Sequence, residues 1–375
     1  MVRIDNVGEY GIIKDVSCQK LPLGAWSDGL NVRSTDNAVE VFRGDTRVYN
    51  PTSVNPYHVL PVTIAGARYW IYAGTGKIYC VNGSTHTDLT RAAGGDYSGA
   101  ANTWTSCVIG GLPVMNDGSG SNYPQSWDLN TANNFGNLAN WQANTYCKSI
   151  RTYRNYLVAL NITKTTTAYP FMVKWSHPAD PGAVPASWDQ TDATKDAGEF
   201  DLSEGQDAIV DGLQLRDAFM IYKESSVWRM DYVGGDFVMR FQKVLGKGAL
   251  NRNCIVEYDG NHVVLTSDDV VIHDGQSGRS LLDGRYRRAL FSDMHTTNYT
   301  KSFVFKNQYM NEVWVCYPSS GSTNCDTALV INIKTGAIST RELDATVHAN
   351  TGLVESNVIG TWSLYTPDAV RVMCA

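Results

Sequence analysis

Short apolar runs alternate with polar, turn-rich stretches along the chain, and the alternation recurs. The clearest unit is Ala67–Gly83, "ARYWIYAGTGKIYCVNG", an apolar strand, a polar turn and a second apolar strand. Similar hairpin patterns begin at Gly111 (GLPVMND…), Asn155 (NYLVALN…), Asp217 (DAFMIYK…), Asn261 (NHVVLTS…) and Asn311 (NEVWVCY…). A fainter one begins at Asn357 (NVIGTWS…). Three intervals, 67 to 111, 111 to 155 and 217 to 261, are each 44 residues. That spacing matches the period of a propeller blade. Between the hairpins lie further β-type segments, "CKSIRTY", "FVMRFQKVL", "NCIVEY" and "KSFVFKN". Each unit therefore has room for about four strands, the blade arrangement.

Runs such as "RYWIYA" and "AFMIY" are too continuous for a sheet with one wet face. They suit blades packed between two others. The expected fold is all-β, a β-propeller of about 6–8 blades with long loop insertions. The rival reading is a pair of β-sandwiches, which also show regularly spaced short strands. Residues 1–50 are expected to form an N-terminal segment, with 51–375 as the propeller. In the segment, "GLNVRS" and "AVEVFRG" read as strands joined by a turn at Thr35-Asp36-Asn37. They are expected to pair with the C-terminal strands and close the ring, removing its last edges. His177–Gly198, with three prolines and no period, reads as a surface loop insertion. One short helix is expected in "SGRSLLDGRYRRALFSDM", ending near Met294.

Composition supports a β-rich chain. Charged residues are 18%, aromatics 11%, and glycines number 33 in 375 residues. Helical proteins favour Ala, Glu, Lys and Leu instead. The net charge of −6 and the lack of a basic stripe exclude an ordinary phosphate-gripping nucleic-acid binder. Arg285, Arg287 and Arg288 form the densest basic run, expected to make local ion pairs. No secretory h-region and no membrane-spanning segment are expected. The eight cysteines are scattered without CxxC spacing, which argues against zinc. Cys316 and Cys325 flank a Ser/Gly loop, which leaves a hairpin disulfide open.

Motifs for chemistry are weak. Ser176, Asp180, Gly182 and Trp188 have the residue types of an Asp-box but too long a spacing. Carboxylate groups of the kind a glycosidase needs occur at Asp268-Asp269, at Asp231 with Asp236, and at Glu199 with Asp201 and Glu204. Each reads as a solvated turn former. "NDGSGSN", Asn116–Asn122, has calcium-loop composition without the full ligand pattern. The histidines, at 58, 86, 177, 262, 273, 295 and 348, stand singly. No catalytic constellation, metal or cofactor is expected.

Four segments carry a resemblance. They are "LPLGAWSDGLNVRS" (Leu21–Ser34), the spaced set Gly111, Val114, Asn116, Gly118, Pro124 and Trp127, "VKWSHPADPGAVPASWD" (Val173–Asp189), and the stretch Gly212–Gly275. Together these resemble the tail nozzle, or tail tube, proteins of short-tailed bacteriophages. The resemblance implies a propeller-based virion protein assembled as a homo-hexameric ring. Its partners would be the head-to-tail adaptor below the portal and tail fibres or spikes. DNA would pass transiently and without specific contacts during genome ejection, and synthesis would be in the host cytoplasm. It transfers no active-site residue. Candidate contact loops are Thr85–Ala101, Thr131–Thr145 and His177–Gly198, since functional loops ride on rigid scaffolds. The alternative is a carbohydrate- or receptor-binding propeller using the many Trp and Tyr residues for stacking. A glycoside hydrolase is the third option.

Overall fold

A computed structural model describes residues 6–35, 38–47, 53–64, 66–92, 94–235, 237–353, 357–363 and 370–373. The chain folds as a six-bladed β-propeller. Five blades are separate four-stranded antiparallel meanders. Their innermost strands are His58–Ile64, Thr105–Ile109, Thr145–Tyr153, Ile209–Leu215 and Ile255–Tyr258, each the first strand of its blade. Blade six opens with Phe303–Asn307. Neighbouring inner strands pack side by side around the axis, as Thr145–Tyr153 does against Thr105–Ile109 and Ile209–Leu215. The starts of the inner strands gather on what we call the upper face, and their ends on the lower.

The blade-six sheet is larger, with nine strands. Its fourth strand, Ile338–Leu353, is 16 residues long. The first part pairs with Cys325–Asn332 and completes the blade. The second part leaves that blade and lies between the inner strands of blades six and one. There Asn350 Nδ2 donates to the Val59 carbonyl at 3.2 Å. On the other side the Thr351 hydroxyl donates to the Lys306 carbonyl. This part also carries a further ladder through Asn357–Ser363, Val370–Met373 and Asp45–Arg47. An N-terminal strand is thus hydrogen-bonded to a C-terminal one. The last C-terminal strand is paired by Asp45–Arg47, which lies outside the strands expected from "GLNVRS" and "AVEVFRG". Those form a hairpin, Val32–Thr35 with Ala38–Val41, that joins blade six at Val32–Thr340. The turn at Asp36-Asn37 lies outside the described residues.

The rest of the N-terminal segment clamps blades five and six. Ile12 enters their shared core. Asp15 caps the helix Arg287–Asp293 from a distant part of the chain, accepting the Arg288 and Ala289 amides at 2.8 and 3.0 Å. Phe42 lies under the guanidinium of Arg33, 4.6 Å from its ring centre, and meets Trp314 edge-on. Arg33 pairs with the buried Glu312 at 2.7 Å. Burial raises the Glu312 carboxyl pKa, and the attraction of Arg33 partly offsets that.

Candidate functional site

The inner strands leave a cavity of about 330 Å³ on the propeller axis. At its upper end it is closed. The connection into blade two crosses the axis, and Asn102 Nδ2 donates to Asn251 Oδ1, the Thr300 carbonyl and the Ser302 carbonyl. Asn253 Nδ2 returns a bond to Asn102 Oδ1 at 2.7 Å. Arg252 Nη1 donates to the carbonyls of Thr103 and Lys148, both at 2.9 Å. Gly118 completes this plug. Its φ is +63°, and a Cβ there would lie 2.2 Å from Arg252 and 2.4 Å from the Thr103 oxygen, so only glycine fits.

Below the plug, the cavity floor is an ion pair. Arg151 Nε and Nη2 reach the two oxygens of Asp211 at 2.9 and 2.6 Å. Ser149 donates to the same carboxylate at 2.6 Å. Burial pushes the Asp211 pKa up, but the Arg151 charge and the hydrogen bonds outweigh it and hold the group below its ordinary value. Beside the pair, the His58 and His348 rings meet at a tilt of 35° with their centres 4.3 Å apart. His58 Nε2 bonds the Ser106 hydroxyl at 2.7 Å. His348 Nδ1 accepts the Val59 amide at 3.3 Å, so its proton sits on Nε2. The other ring nitrogen of His58, Nδ1, is buried and has no partner. Burial, with Arg151 nearby, pushes the His348 pKa down to about 3 and that of His58 well below 6.5. Both rings are neutral at pH 7. At the lower end Lys306 pairs with Glu257 at 2.9 Å. Side-chain exposure rises from 2% at Asp211 to 37% at Glu257, so the cavity opens toward the lower face.

The residues singled out from sequence sit elsewhere. Glu199 bridges Lys164 and the buried Lys174. Asp201 is exposed in the outer strand of blade three. Glu204 faces Lys243 at 3.8 Å. Asp268 pairs with Lys247. Asp269 accepts the Ser280 hydroxyl and approaches Arg287. Asp231 pairs with Arg229 and Arg240, and Asp236 lies outside the described residues. In the Asn116–Asn122 loop both Asp117 oxygens are taken by Ser98, Ser119 and Asn122. Ser176 and Trp188 are buried, and the Ser176 hydroxyl donates to the His177 carbonyl. Arg285 donates to the Gly336 carbonyl, and Arg288 binds Asp15. Cys316 and Cys325 are both free, buried thiols.

The three candidate contact loops are anchored more deeply than their polar composition suggests. Tyr97, Phe135, Leu138 and Trp188 within them are all buried, and Thr85–Asp88 is a blade-one strand. The histidines correct the sequence reading most. Four of the seven meet in pairs, His58 with His348 and His262 with His273. No spacing announced the first pair. The second faces across the register of one hairpin, where His262 is opposite His273.

No family model matches the chain, and no curated protein matches it in sequence. Solved structures do resemble it. The β-propeller domain of Cps50 (Swd1) from Myceliophteria thermophila is similar at TM-score 0.55 and 8% identity, over 88% of this chain and 100% of that one. The extracellular domain of the one-component system BT4673 from B. thetaiotaomicron gives 0.55 at 7% identity over 89% of this chain. PorZ, a surface component of the type-IX secretion system of Porphyromonas gingivalis, gives 0.48 at 11% over 85%. This chain spans 36% of PorZ and 40% of the BT4673 chain. At such identities the likeness to Cps50 and BT4673 concerns architecture alone, and it agrees with the β-propeller built by these residues.

Proposed function

We propose that this chain is a non-catalytic scaffold propeller that assembles head-to-tail into a ring, the tail nozzle of a short-tailed bacteriophage. The observation that carries the reading is a pair of exposed apolar patches on different parts of the rim. One is the N-terminal segment on blade six, with Leu23, Trp26, Leu30 and Val41 exposed. The other lies at the outer edges of blades three and four, with Phe200, Tyr232, Val233 and Phe237 exposed. Apolar surface concentrated in this way marks interaction sites. A closed cyclic ring needs two different, mutually complementary faces on each subunit. Leu23, Trp26 and Leu30 of the first patch fall within the Leu21–Ser34 stretch that resembles nozzle proteins, and the second patch lies partly within Gly212–Gly275.

The axial plug shapes this reading. A propeller closed by Asn102 and Arg252 has no through-channel of its own, so DNA would pass through the centre of the ring of subunits. The groups that would do chemistry, Asp211 and Arg151, are occupied with each other, which supports a non-catalytic role. A surface that stacks sugars on aromatics has little support, because Trp70, Trp104, Trp127, Trp188 and Trp314 are core residues.

Mass photometry with negative-stain imaging tests the proposal. A six-fold ring is expected, with smaller species from Trp26→Asp and from Phe237→Asp. A wild-type chain that stays monomeric at micromolar concentration, alone and with a portal–adaptor complex, overturns it.

A further inference from the structure

The positions of the two apolar patches on the rim decide which blades face the centre of a ring. The first patch lies against the outer strand of blade six, where Gly11 bridges Ile338 and Val32 pairs with Thr340. The second closes the rim between blades three and four, where Phe200 stacks on Phe241 with ring centres 4.6 Å apart. Blades follow one another round the axis in chain order, each inner strand packing on the next. The shorter arc between the patches is therefore occupied by blades four and five, and the longer one by blades one and two. Both patches are on the rim, so both contact directions lie across the propeller axis, and that axis runs parallel to the axis of the ring. In a closed ring the directions to the two neighbours enclose less than a straight angle, and the sector they enclose faces the hole. Given the head-to-tail ring, on which this inference rests, we propose that the outer edges of blades four and five form the channel wall past which the phosphate backbone of duplex DNA slides.

The charges on that wall suit sliding rather than gripping. Arg240, in the outer strand of blade four, has a side chain 64% exposed and reaches Asp231 at 3.3 Å. Lys247 and Asp268, where blade four passes into blade five, are both exposed and pair at 2.8 Å. Arg287, just beyond the outer strand of blade five, pairs with Asp283 at 3.2 Å. Arg279, in that outer strand itself, is exposed. A base already matched by an acid of its own subunit releases few counterions on meeting a phosphate. Such a wall gives DNA close contact without a strong hold, and its exposed bases keep it from repelling the duplex as a purely acidic surface would. The outer strands of blades one and two, Thr85–Asp88 and Gly136–Asn137, carry no Lys or Arg at all. They face outward in the same ring, where no phosphate passes.

Two experiments on rings of the full chain test the wall, with mass photometry to verify the ring in every variant. In the first, spin labels are placed on Arg279→Cys in blade five or on Thr131→Cys in the outer loop of blade two, each in a Cys18→Ser background that removes an exposed thiol. Double electron–electron resonance reads the distance between labels on adjacent subunits. The Arg279 labels are expected to lie closer together than the Thr131 labels, because they stand nearer the ring axis. In the second, Asp268→Asn with Asp283→Asn frees Lys247 and Arg287 on the wall. It is expected to tighten binding of a blunt duplex of about 40 base pairs about tenfold or more at low salt, with a steeper salt dependence. Asp88→Asn with Asp128→Asn makes the same charge change on the outward blades and is expected to leave binding within about twofold of wild type. A chain that forms no ring overturns the head-to-tail reading and the channel wall with it. A ring in which the Arg279 distances equal or exceed the Thr131 distances, or in which the two acid pairs change DNA binding alike, overturns the channel wall alone.

Discussion

Two pairs of buried histidines sit at different junctions of the propeller, His262–His273 between blades four and five and His58–His348 where blade one meets the strand from blade six. In the first pair every ring nitrogen is satisfied. His273 Nδ1 accepts the Gly275 amide, so its Nε2–H donates to the Tyr222 oxygen at 2.7 Å. The Tyr222 hydroxyl donates to His262 Nδ1 at 2.6 Å. His262 Nε2–H donates to the Gln214 carbonyl at 3.0 Å. The chain of donors has one direction and no open end. In the second pair His58 Nδ1 is buried and has no partner. A closed network fixes two blades against each other, while the other leaves a buried polar atom unpaired. Both pairs border cavities, but the same residue type is fully bonded cement at one junction and an incompletely bonded lining of the axis at the other.

Breaking the lining at its charged floor should have the largest effect. Arg151→Met leaves Asp211, 2% exposed, without its counter-charge. The expected loss is about 3–5 kcal/mol in urea denaturation at pH 7. The same variant removes a positive charge that disfavours protonation of His58 and His348, so their pKa values should rise, read by NMR titration. A variant within about 1 kcal/mol of wild type would mean that the Asp211 carboxylate reaches water.

Breaking the cement comes next. Tyr222→Phe strips one donor and one acceptor from a site where all three side chains are buried. Two unsatisfied imidazole nitrogens should cost about 2–4 kcal/mol. Hydrogen exchange should quicken in blades four and five and stay near wild type in blade one. Uniform quickening would contradict the local role assigned to this network.

The two pairs also differ in how far they could be read in advance. All seven hairpins seen in the sequence fall on the second and third strands of a ladder, such as Ala218–Lys223 with Val227–Tyr232. Two of those strands are covered on both faces: every residue of Ala218–Lys223 and of Glu312–Tyr317 is buried. Outer strands alternate or are short, as in Met239–Leu245 and Gly136–Asn137, and only the first of these was visible. The strand Ile338–Leu353 serves two ladders, and no local pattern marks the handover. His262–His273 was legible in principle, because hairpin register sets them opposite each other. His58 and His348 are brought together by ring closure, as are the five other strands that line the cavity, and no spacing encodes that.

The smallest effect is the one that separates the pairs by proton. Burial pushes the folded pKa down to about 3 for His262 and His348 and to about 4 for His273, with Asp274 opposing the last. Unfolded histidines titrate near 6.5. Between those values the unfolded chain binds more protons than the folded one, so stability is complete above about pH 6.5 and falls as the pH drops toward 4. Each buried histidine contributes at most about 2 kcal/mol of the loss between pH 7 and pH 5. His262→Gln and His348→Gln should each flatten the profile by up to that amount. A profile left unchanged by both substitutions would mean that the folded rings take up protons as the unfolded chain does.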